Sequence, residues 1–384
     1  MTITEIKPPY AIPTMESLKD IPKNDFNVVS TFSGCGGTCL GYKLAGFNVL
    51  WASEFIPAAQ EVYRLNHPET ILDTRDIRQV TGSEILTAIG LPRGGVDVLE
   101  GSPPCASFST AGKKEKNWGQ LVSYSDTTQK VDDLFYEFIR LVDEIQPKVF
   151  VAENVSGLVK GTAKGFFKNI LMTMRTLNYT VEVKLLNAAW LGVPQARQRL
   201  FFIGVRNDLE KAPAFPKPLP YFYTLSDVLP YIKKVKLGGK PNSWGDAANR
   251  ASPTIVQSAA SRSESAYLDG GGWIETATFI EPSSAIGKEW DNLREGQHSG
   301  KYITLTRTSR QRPSPTVVAN SPSSVLHPTE RRKFSIEELK IISSFPADFQ
   351  LTGTFAKQWE RIGRAVPPFM ARAIAETIRD EILC

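Results

Sequence analysis

The chain has 384 residues, 41% of them hydrophobic, with 45 Lys and Arg against 40 Asp and Glu and a formal charge of +5. That size and apolar content describe a globular protein with a large core, in two domains or in one with a substantial insertion, and the small basic excess permits a polyanionic partner without requiring one. Four cysteines and three histidines argue against a disulfide framework or a complete zinc site, so a reduced, cytoplasmic setting is expected.

Residues 1–26 read as an irregular N-terminal arm, without the basic start and apolar core of a secretory signal. From Asn27 the pattern turns regular, and predicts strand 27–32, a Gly-rich turn 33–37, helix 38–46, strand 48–53, helices 57–66 and 82–90, and strand 96–100. Such alternation signals a parallel α/β sheet. After an irregular stretch over 106–128, helical periodicity runs from Val131 to Ile145, and Val149-Phe-Val-Ala-Glu153 reads as a further buried strand of a sheet continuing to about Arg206. Prolines at 213, 216, 218, 220 and 241 and glycines at 238–239 and 270–272 then mark 209–320 as a separate, loop-rich unit. Helical periodicity returns at Ser335, where Ser335 and Glu338 form a capping box, and again over 366–383. No stretch reaches membrane-spanning length, so no membrane partner is expected.

Three constellations carry chemistry. In Val96-Asp-Val-Leu-Glu-Gly-Ser-Pro-Pro-Cys-Ala-Ser-Phe-Ser109, two prolines end an apolar strand and leave Cys105 at the carboxyl edge of the sheet, where open α/β folds bind ligands. The thiol there is either a displayed nucleophile or a buried structural cysteine. Phe32-Ser-Gly-Cys-Gly-Gly-Thr38 lies between a strand and a helix, and its small residues let a nucleotide-like cofactor approach the backbone. Cys39 stands where a dinucleotide fingerprint needs its third glycine, and there is no Walker lysine. Glu54 closes the next strand at the spacing of a ribose-binding acid, and Asp76 with Ile77 is placed to flank an adenine. The third constellation is Glu153-Asn-Val155 at a strand end with Gln195-Ala-Arg197-Gln-Arg199. A partly buried Glu153 can hold a proton and donate it to a ring nitrogen, or else form a buried salt bridge with Arg197 or Arg199. Arg197 and Arg199, two apart on an extended segment, point the same way and suit a phosphate or a base carbonyl. Cys35 and Cys39 have no second ligand pair at a recognisable spacing, and no metal is expected.

In this order these motifs resemble the DNA cytosine-5 methyltransferase family of bacterial or phage type. The resemblance extends through Asp132-Asp-Leu-Phe-Tyr-Glu-Phe-Ile-Arg140, Arg312-Pro-Ser-Pro-Thr316, His327-Pro328, Phe345-Pro-Ala-Asp348-Phe349 and Gly363-Arg-Ala-Val-Pro367, and covers 27–208 and 312–384. It implies a Rossmann-like, S-adenosylmethionine-dependent catalytic domain at 27–208, a smaller loop-rich target recognition domain at 209–320, and a C-terminal segment, 321–384, returning to the catalytic domain. Cys105 would add to carbon 6 of a cytosine flipped out of double-stranded DNA, Glu153 would contact ring nitrogen 3 and the exocyclic amine, and Arg199 with Arg197 would bind the base carbonyl and a phosphate. The resemblance places the cofactor among Phe32, Ser33, Gly34, Gly36, Gly37, Glu54, Phe55, Asp76, Ile77, Pro104, Leu134, Arg364 and Val366. It makes 106–128 a lid that closes over DNA, and offers Lys233, Lys234, Lys236, Arg262, Arg307, Arg310 and Arg312 as DNA contacts. A compact, monomeric, nucleoid-associated restriction-modification type of enzyme is expected.

Two departures stand out. Ser30-Thr31 precedes Phe32 where the family often has Asp-Leu. Arg364 replaces the family's usual asparagine, and a fixed cation about 4 Å from a sulfonium would cost on the order of 4 kcal/mol at an effective dielectric near 20. Either Arg364 turns away, toward a carboxylate or DNA, and the donor is S-adenosylmethionine, or it pairs with carboxy-S-adenosylmethionine and the product is 5-carboxymethylcytosine. A transfer-RNA cytosine methyltransferase and a non-catalytic DNA-binding relative are the remaining alternatives.

Overall fold

The computed structural model describes residues 7–104, 133–159, 163–229, 278–302, 305–319 and 321–384, with the backbone of short strands at 122–124, 127–129, 265–268 and 272–275. Cys105, most of the 106–128 stretch, and Lys233, Lys234, Lys236 and Arg262 lie outside the described residues.

Seven strands form one sheet: β1 (Asn27–Thr31), β2 (Asn48–Ser53), β3 (Ile71–Asp73), β4 (Val98–Gly101), β5 (Val149–Val155), β6 (Tyr179–Asn187) and β7 (Gln198–Arg206). Their order is β3-β2-β1-β4-β5-β7-β6. The first five in that order run parallel, and β7 is antiparallel to both β5 and β6, so the expected parallel sheet holds for five strands and ends in an antiparallel pair. The chain winds outward from β1 to β3 and then resumes on the other side of β1 with β4. The crevice between the carboxyl ends of β1 and β4 is therefore the switch point, where such sheets take their ligands.

Among the described residues the helices of seven or more residues are α1 (Gly37–Leu44), α2 (Pro57–Asn66), α3 (Gly82–Ile89), α4 (Leu134–Ile145), α5 (Ala163–Thr176), α6 (Ala285–Asn292), α7 (Ile336–Ile342), α8 (Phe355–Arg364) and α9 (Pro368–Ile378). The parallel strands are apolar on both faces, as doubly covered strands must be. On one face Val28, Val98, Val149 and Val151 pack with Tyr42 of α1, Tyr63 of α2 and Met370, Ile374 and Ile378 of α9. On the other, Val29, Leu99, Phe150 and Ala152 meet Ile85, Phe138, Val142 and Ile170 from α3, α4 and α5. Leu134, Phe138, Leu141, Val142 and Ile145 recur at helical spacing, which is why α4 presents one buried face.

A third apolar cluster joins Tyr223, Leu225 and Leu229 to Val317, Phe334, Leu339, Trp359 and Ile362. The capping box is present: Glu338 N–H donates to Ser335 Oγ (3.2 Å) and Ser335 N–H to Glu338 Oε2 (2.7 Å). The N-terminal arm, though largely without regular structure, is packed. The Tyr10 hydroxyl donates to the Ile341 carbonyl (3.1 Å), its ring meets Tyr223 and Phe369, and Lys7 pairs with Asp227 at 2.6 Å.

Candidate active site

The glycine loop leaves β1 through left-handed backbone at Phe32 (φ 53°), Gly34 (58°) and Gly36 (88°) and enters α1 with Gly36 as its N-cap. Ser33 N–H donates to the Ser53 carbonyl (2.9 Å) and Gly36 N–H to the Ser33 carbonyl (2.9 Å), so the turn is fixed to β2. Side chains are excluded below it: a Cβ on Gly36 would lie 2.2 Å from His67 Nε2, and one on Gly37 would lie 2.5 Å from the Val366 carbonyl oxygen. A Cβ on Gly34 would meet nothing within 4 Å. The loop is open on one side only, as a cofactor cradle requires.

Glu54 closes β2 beneath that opening. Its carboxylate accepts N–H bonds from Gly34 and Ile56, each 2.7 Å, and burial raises its pKa, opposed by the Ile56 and Gly34 amides and by Arg361. A carboxylate has about four acceptor positions, so two amides leave room for ribose hydroxyls. Phe55 beside it is 37% exposed, while Ile77 is buried. Asp76 caps the short turn Ile77–Gln79, and Arg78 bridges it at 2.8 Å to Asp133 at 2.6 Å, immediately before α4 and the buried Leu134. The glycine loop, Glu54 and the Asp76–Ile77 turn follow the carboxyl ends of β1, β2 and β3 in turn, and their donor set fits an adenosine-bearing cofactor.

Across the crevice β4 ends at Gly101 and runs into Pro103 and the partly exposed Pro104. Asn154 holds this turn. Its Nδ2 donates to the Pro103 carbonyl (3.1 Å) while its Oδ1 accepts from Val155 N–H (2.9 Å). The sequence shows Asn154 but gave it no task; its signal is an amide side chain placed at a buried strand end. Glu153, one residue earlier, pairs with Arg199 Nε at 2.7 Å. Glu153 lies opposite Phe201 and Arg199 opposite Val155, so the two side chains meet as diagonal neighbours on one sheet face.

Arg197 and Arg199 do not act as a pair. Arg197 N–H bonds back to the Gln195 carbonyl (2.9 Å), and this tight turn interrupts the extended segment: Gln195–Ala196 pairs with Ser314–Pro315, whereas β7 begins at Gln198. The two-residue alternation is reset, and Arg197 is 1% exposed, its guanidinium donating to the carbonyls of Gly363 (3.0 Å) and Arg364 (3.2 Å). Those are end carbonyls of α8, which lack intrahelical partners and favour a cation. Arg197→Met is expected to lower unfolding stability by about 2–4 kcal/mol, because it strands buried carbonyls; urea titration measures it.

Arg364, in the last turn of α8, reaches back to Glu360, with Nε at 2.9 Å and its terminal nitrogen at 2.7 Å from Oε1. Val366 is buried against Gly37. Of the arginines proposed for DNA, Arg307 lies 3.8 Å over the Trp290 ring and donates to the Leu293 and Pro328 carbonyls; Arg310 pairs with Glu295; Arg312 is exposed. Burial pushes the thiols of Cys35 and Cys39 up to about 12 and about 11, so neither is a thiolate at neutral pH. Glu100, unnoticed in the sequence as a site residue, is buried at the end of β4 with Ser30 donating to it, and its pKa is pushed up to about 8 by burial and, less, by Glu153.

An open α/β sheet with a glycine cradle, an acid on the second strand and a braced turn across the switch point defines an S-adenosylmethionine-dependent methyltransferase fold. Residues 26–380 match the model of the C-5 cytosine-specific DNA methylase family, and the chain belongs to that family. It is similar to the Type II methyltransferase M1.HphI of Haemophilus parahaemolyticus, 32% identical over 351 residues that span 91% of this chain and 86% of the relative. It is likewise similar to the Type II methyltransferase M.DdeI of Desulfomicrobium norvegicum, 30% identical with 92% and 88% covered. A crystal structure of a prophage-encoded DNA modification methyltransferase (E. coli) shares the fold at TM-score 0.69 and 22% identity, covering 94% of this chain and all of that one. The chain is a bacterial-type DNA cytosine-5 methyltransferase, with DNA as its substrate and S-adenosylmethionine as the family's donor. Among the described residues no helix is long and apolar enough to cross a membrane.

Proposed function

We propose that this enzyme extrudes a target cytosine from double-stranded DNA, adds Cys105 to carbon 6 and methylates carbon 5, after which carbon 5 gives up its proton and Cys105 is expelled from carbon 6. The observation that carries the reading is the Glu153–Arg199 pair set beside the Asn154-braced turn that leads directly into Cys105. Asn154 fixes the Pro103 turn relative to the acid. Arg199 holds the Glu153 carboxyl at the strand end, where it contacts ring nitrogen 3 and the exocyclic amine and stabilises the charge that reaches the ring as sulfur adds. The buried, high-pKa thiols of Cys35 and Cys39 are unsuited to that addition. S-adenosylmethionine, when bound, supplies an electrophilic methyl group. Gly34, Gly36, Gly37, Glu54, Phe55, Asp76, Ile77 and Val366 would hold it, with Phe32, Ser33, Pro104 and Leu134 completing the walls. In this reading 106–128 closes over the flipped base, 209–320 reads the DNA sequence, and the enzyme serves a type II modification system. Parallel labelling of duplex DNA and transfer RNA with a radiolabelled methyl donor tests the substrate. Incorporation into transfer RNA alone would refute it.

Methyl, rather than carboxymethyl, is the group we assign. The Arg364 guanidinium already has a carboxylate partner in Glu360, which Arg361 shares at 3.5 Å, so it is turned toward that acid rather than left to pair with a carboxylate on the donor. Nucleoside mass spectrometry after reaction with each donor should yield 5-methylcytosine only, and Arg364→Asn should methylate within about threefold of the parent rate, since the ion pair with Glu360 lies outside the proposed chemistry. A carboxymethyl product that disappears in Arg364→Asn would reverse the assignment.

A further inference from the structure

Ser30 on β1 and Glu100 on β4 are register partners in the parallel ladder. Both are buried, Ser30 at 0% and Glu100 at 3% exposure. Neighbouring strands lie about 4.8 Å apart, so a carboxyl carried on either strand at this level reaches the same space. The Ser30 hydroxyl donates to Glu100 Oε1, and Ser30 Oγ is 2.7 Å from Ser33 Oγ in the glycine loop. The Thr31 hydroxyl adds a bond to the Glu100 carbonyl (3.1 Å), and Ser102 N–H one to the Thr31 carbonyl (3.4 Å). Two residues after Ser30 the cofactor loop begins, and three residues after Glu100 comes Pro103, the first residue of the Cys105 turn. The pair therefore sits at the fork from which the two reacting segments diverge. Position 30 is also where this chain departs from the aspartate often present in its family, and the carboxyl absent there is found on the adjoining strand.

We propose that Glu100 is a positioning residue for methyl transfer, a carboxyl transferred across the β1–β4 ladder that acts through Ser30 and Ser33 to set the spacing between the cofactor loop and the Cys105 turn. The proposal rests on the reading that this loop holds S-adenosylmethionine and that Cys105 is the nucleophile. Burial raises Glu100 enough that its neutral form prevails near pH 7. The groups facing it are Ser30 on β1, Cys39 and Tyr42 on α1, Tyr63 on α2 and Glu153 on β5. A glutamine matches that neutral form in shape and still accepts the Ser30 hydroxyl, whereas alanine releases Ser30 and with it the root of the loop.

A reciprocal exchange tests the idea, with S-adenosylmethionine affinity read by calorimetry and kcat read on duplex DNA. Glu100→Ala is expected to weaken cofactor affinity and to lower kcat, each on the order of 10- to 100-fold, the scale of small misplacements in a reacting geometry. Glu100→Gln is expected to stay within about threefold in both. Ser30→Asp alone forces two acids into one buried space and should be as impaired as Glu100→Ala, while S30D/E100A restores a single carboxyl from the other strand and should recover both quantities to within about threefold. Parent-like values for Glu100→Ala, or a double variant no better than Ser30→Asp, would overturn the proposal. If Glu100→Ala does not fold, S30D/E100A decides alone: a folded double variant with both quantities within about threefold of the parent shows that a carboxyl from the other strand replaces Glu100, and a double variant that also fails to fold or to bind overturns the proposal. A parent enzyme that binds no S-adenosylmethionine would instead refute the functional reading beneath it.

Discussion

Glu153→Gln is expected to lower kcat for cytosine methylation by roughly 10²- to 10⁴-fold, the usual contribution of a positioned acid or base, while cofactor affinity stays within about threefold because Glu153 lies across the crevice from the glycine cradle. The amide keeps the size of the side chain and the backbone register with Phe201. An amide cannot carry a proton to the ring nitrogen as electron density builds up there, and it replaces the ion pair with Arg199 by a neutral bond. Arg199→Ala should reproduce part of the loss by releasing the carboxyl from the strand end. The adduct itself can be followed with duplex DNA containing 5-fluorocytosine. The parent forms a stable covalent complex, Cys105→Ala forms none, and Glu153→Gln forms it slowly with the same stoichiometry. A Glu153→Gln enzyme at the parent rate would remove the carboxyl from the chemistry; a Cys105→Ala adduct would move the nucleophile elsewhere.

The parts of this site that were legible in the sequence are those whose backbone demands narrow the choice of residue. A loop that must turn left-handed three times shows its glycines at 34 and 36, and a strand that must stop shows its prolines at 103 and 104. Strands 48–53 and helix 57–66 were legible to the residue for a similar reason, since each is bounded by Gly46 or by Pro57. What stayed hidden depends on where a side chain goes once the chain has folded. Arg197 and Arg199 look equivalent in an extended segment, and only the backbone turn at Gln195 sends one beneath the end of α8 and the other to Glu153. Strand β6 is an edge strand in which Tyr179 and Val181 supply most of the buried apolar surface, so its pattern was too thin to stand out. Glu100 was passed over because a single acid in an apolar run reads as an interruption. Its partner is seventy positions away.

That buried acid also sets a second large expectation, in stability rather than rate. Glu100 ionises near 4.5 when exposed and near 8 in the fold, so the folded state retains its proton over the interval in which the unfolded chain gives it up. In that interval the unfolded state binds fewer protons, and stability falls as pH rises. Below about pH 6.5 the effect is opposed by His67 and His327, both buried and both depressed, His327 to about 4, which makes the folded state lose stability as pH falls through the ordinary histidine range. His67 and His327 are largely neutral in both states only from about pH 7.5, and the raised thiols of Cys35 and Cys39 do not enter until near pH 9, their unfolded value. Glu54 is raised as well and adds a slope of the same sign, so the parent is best read against Glu100→Gln, which keeps Glu54 and removes only the one titration. Between pH 6.5 and 8 the parent is expected to lose about 2 kcal/mol relative to Glu100→Gln, measured by urea unfolding at both pH values. Identical slopes in the two proteins would mean that Glu100 ionises as it does in the unfolded chain, and that the energy of burying it is met by a charged partner rather than by a retained proton.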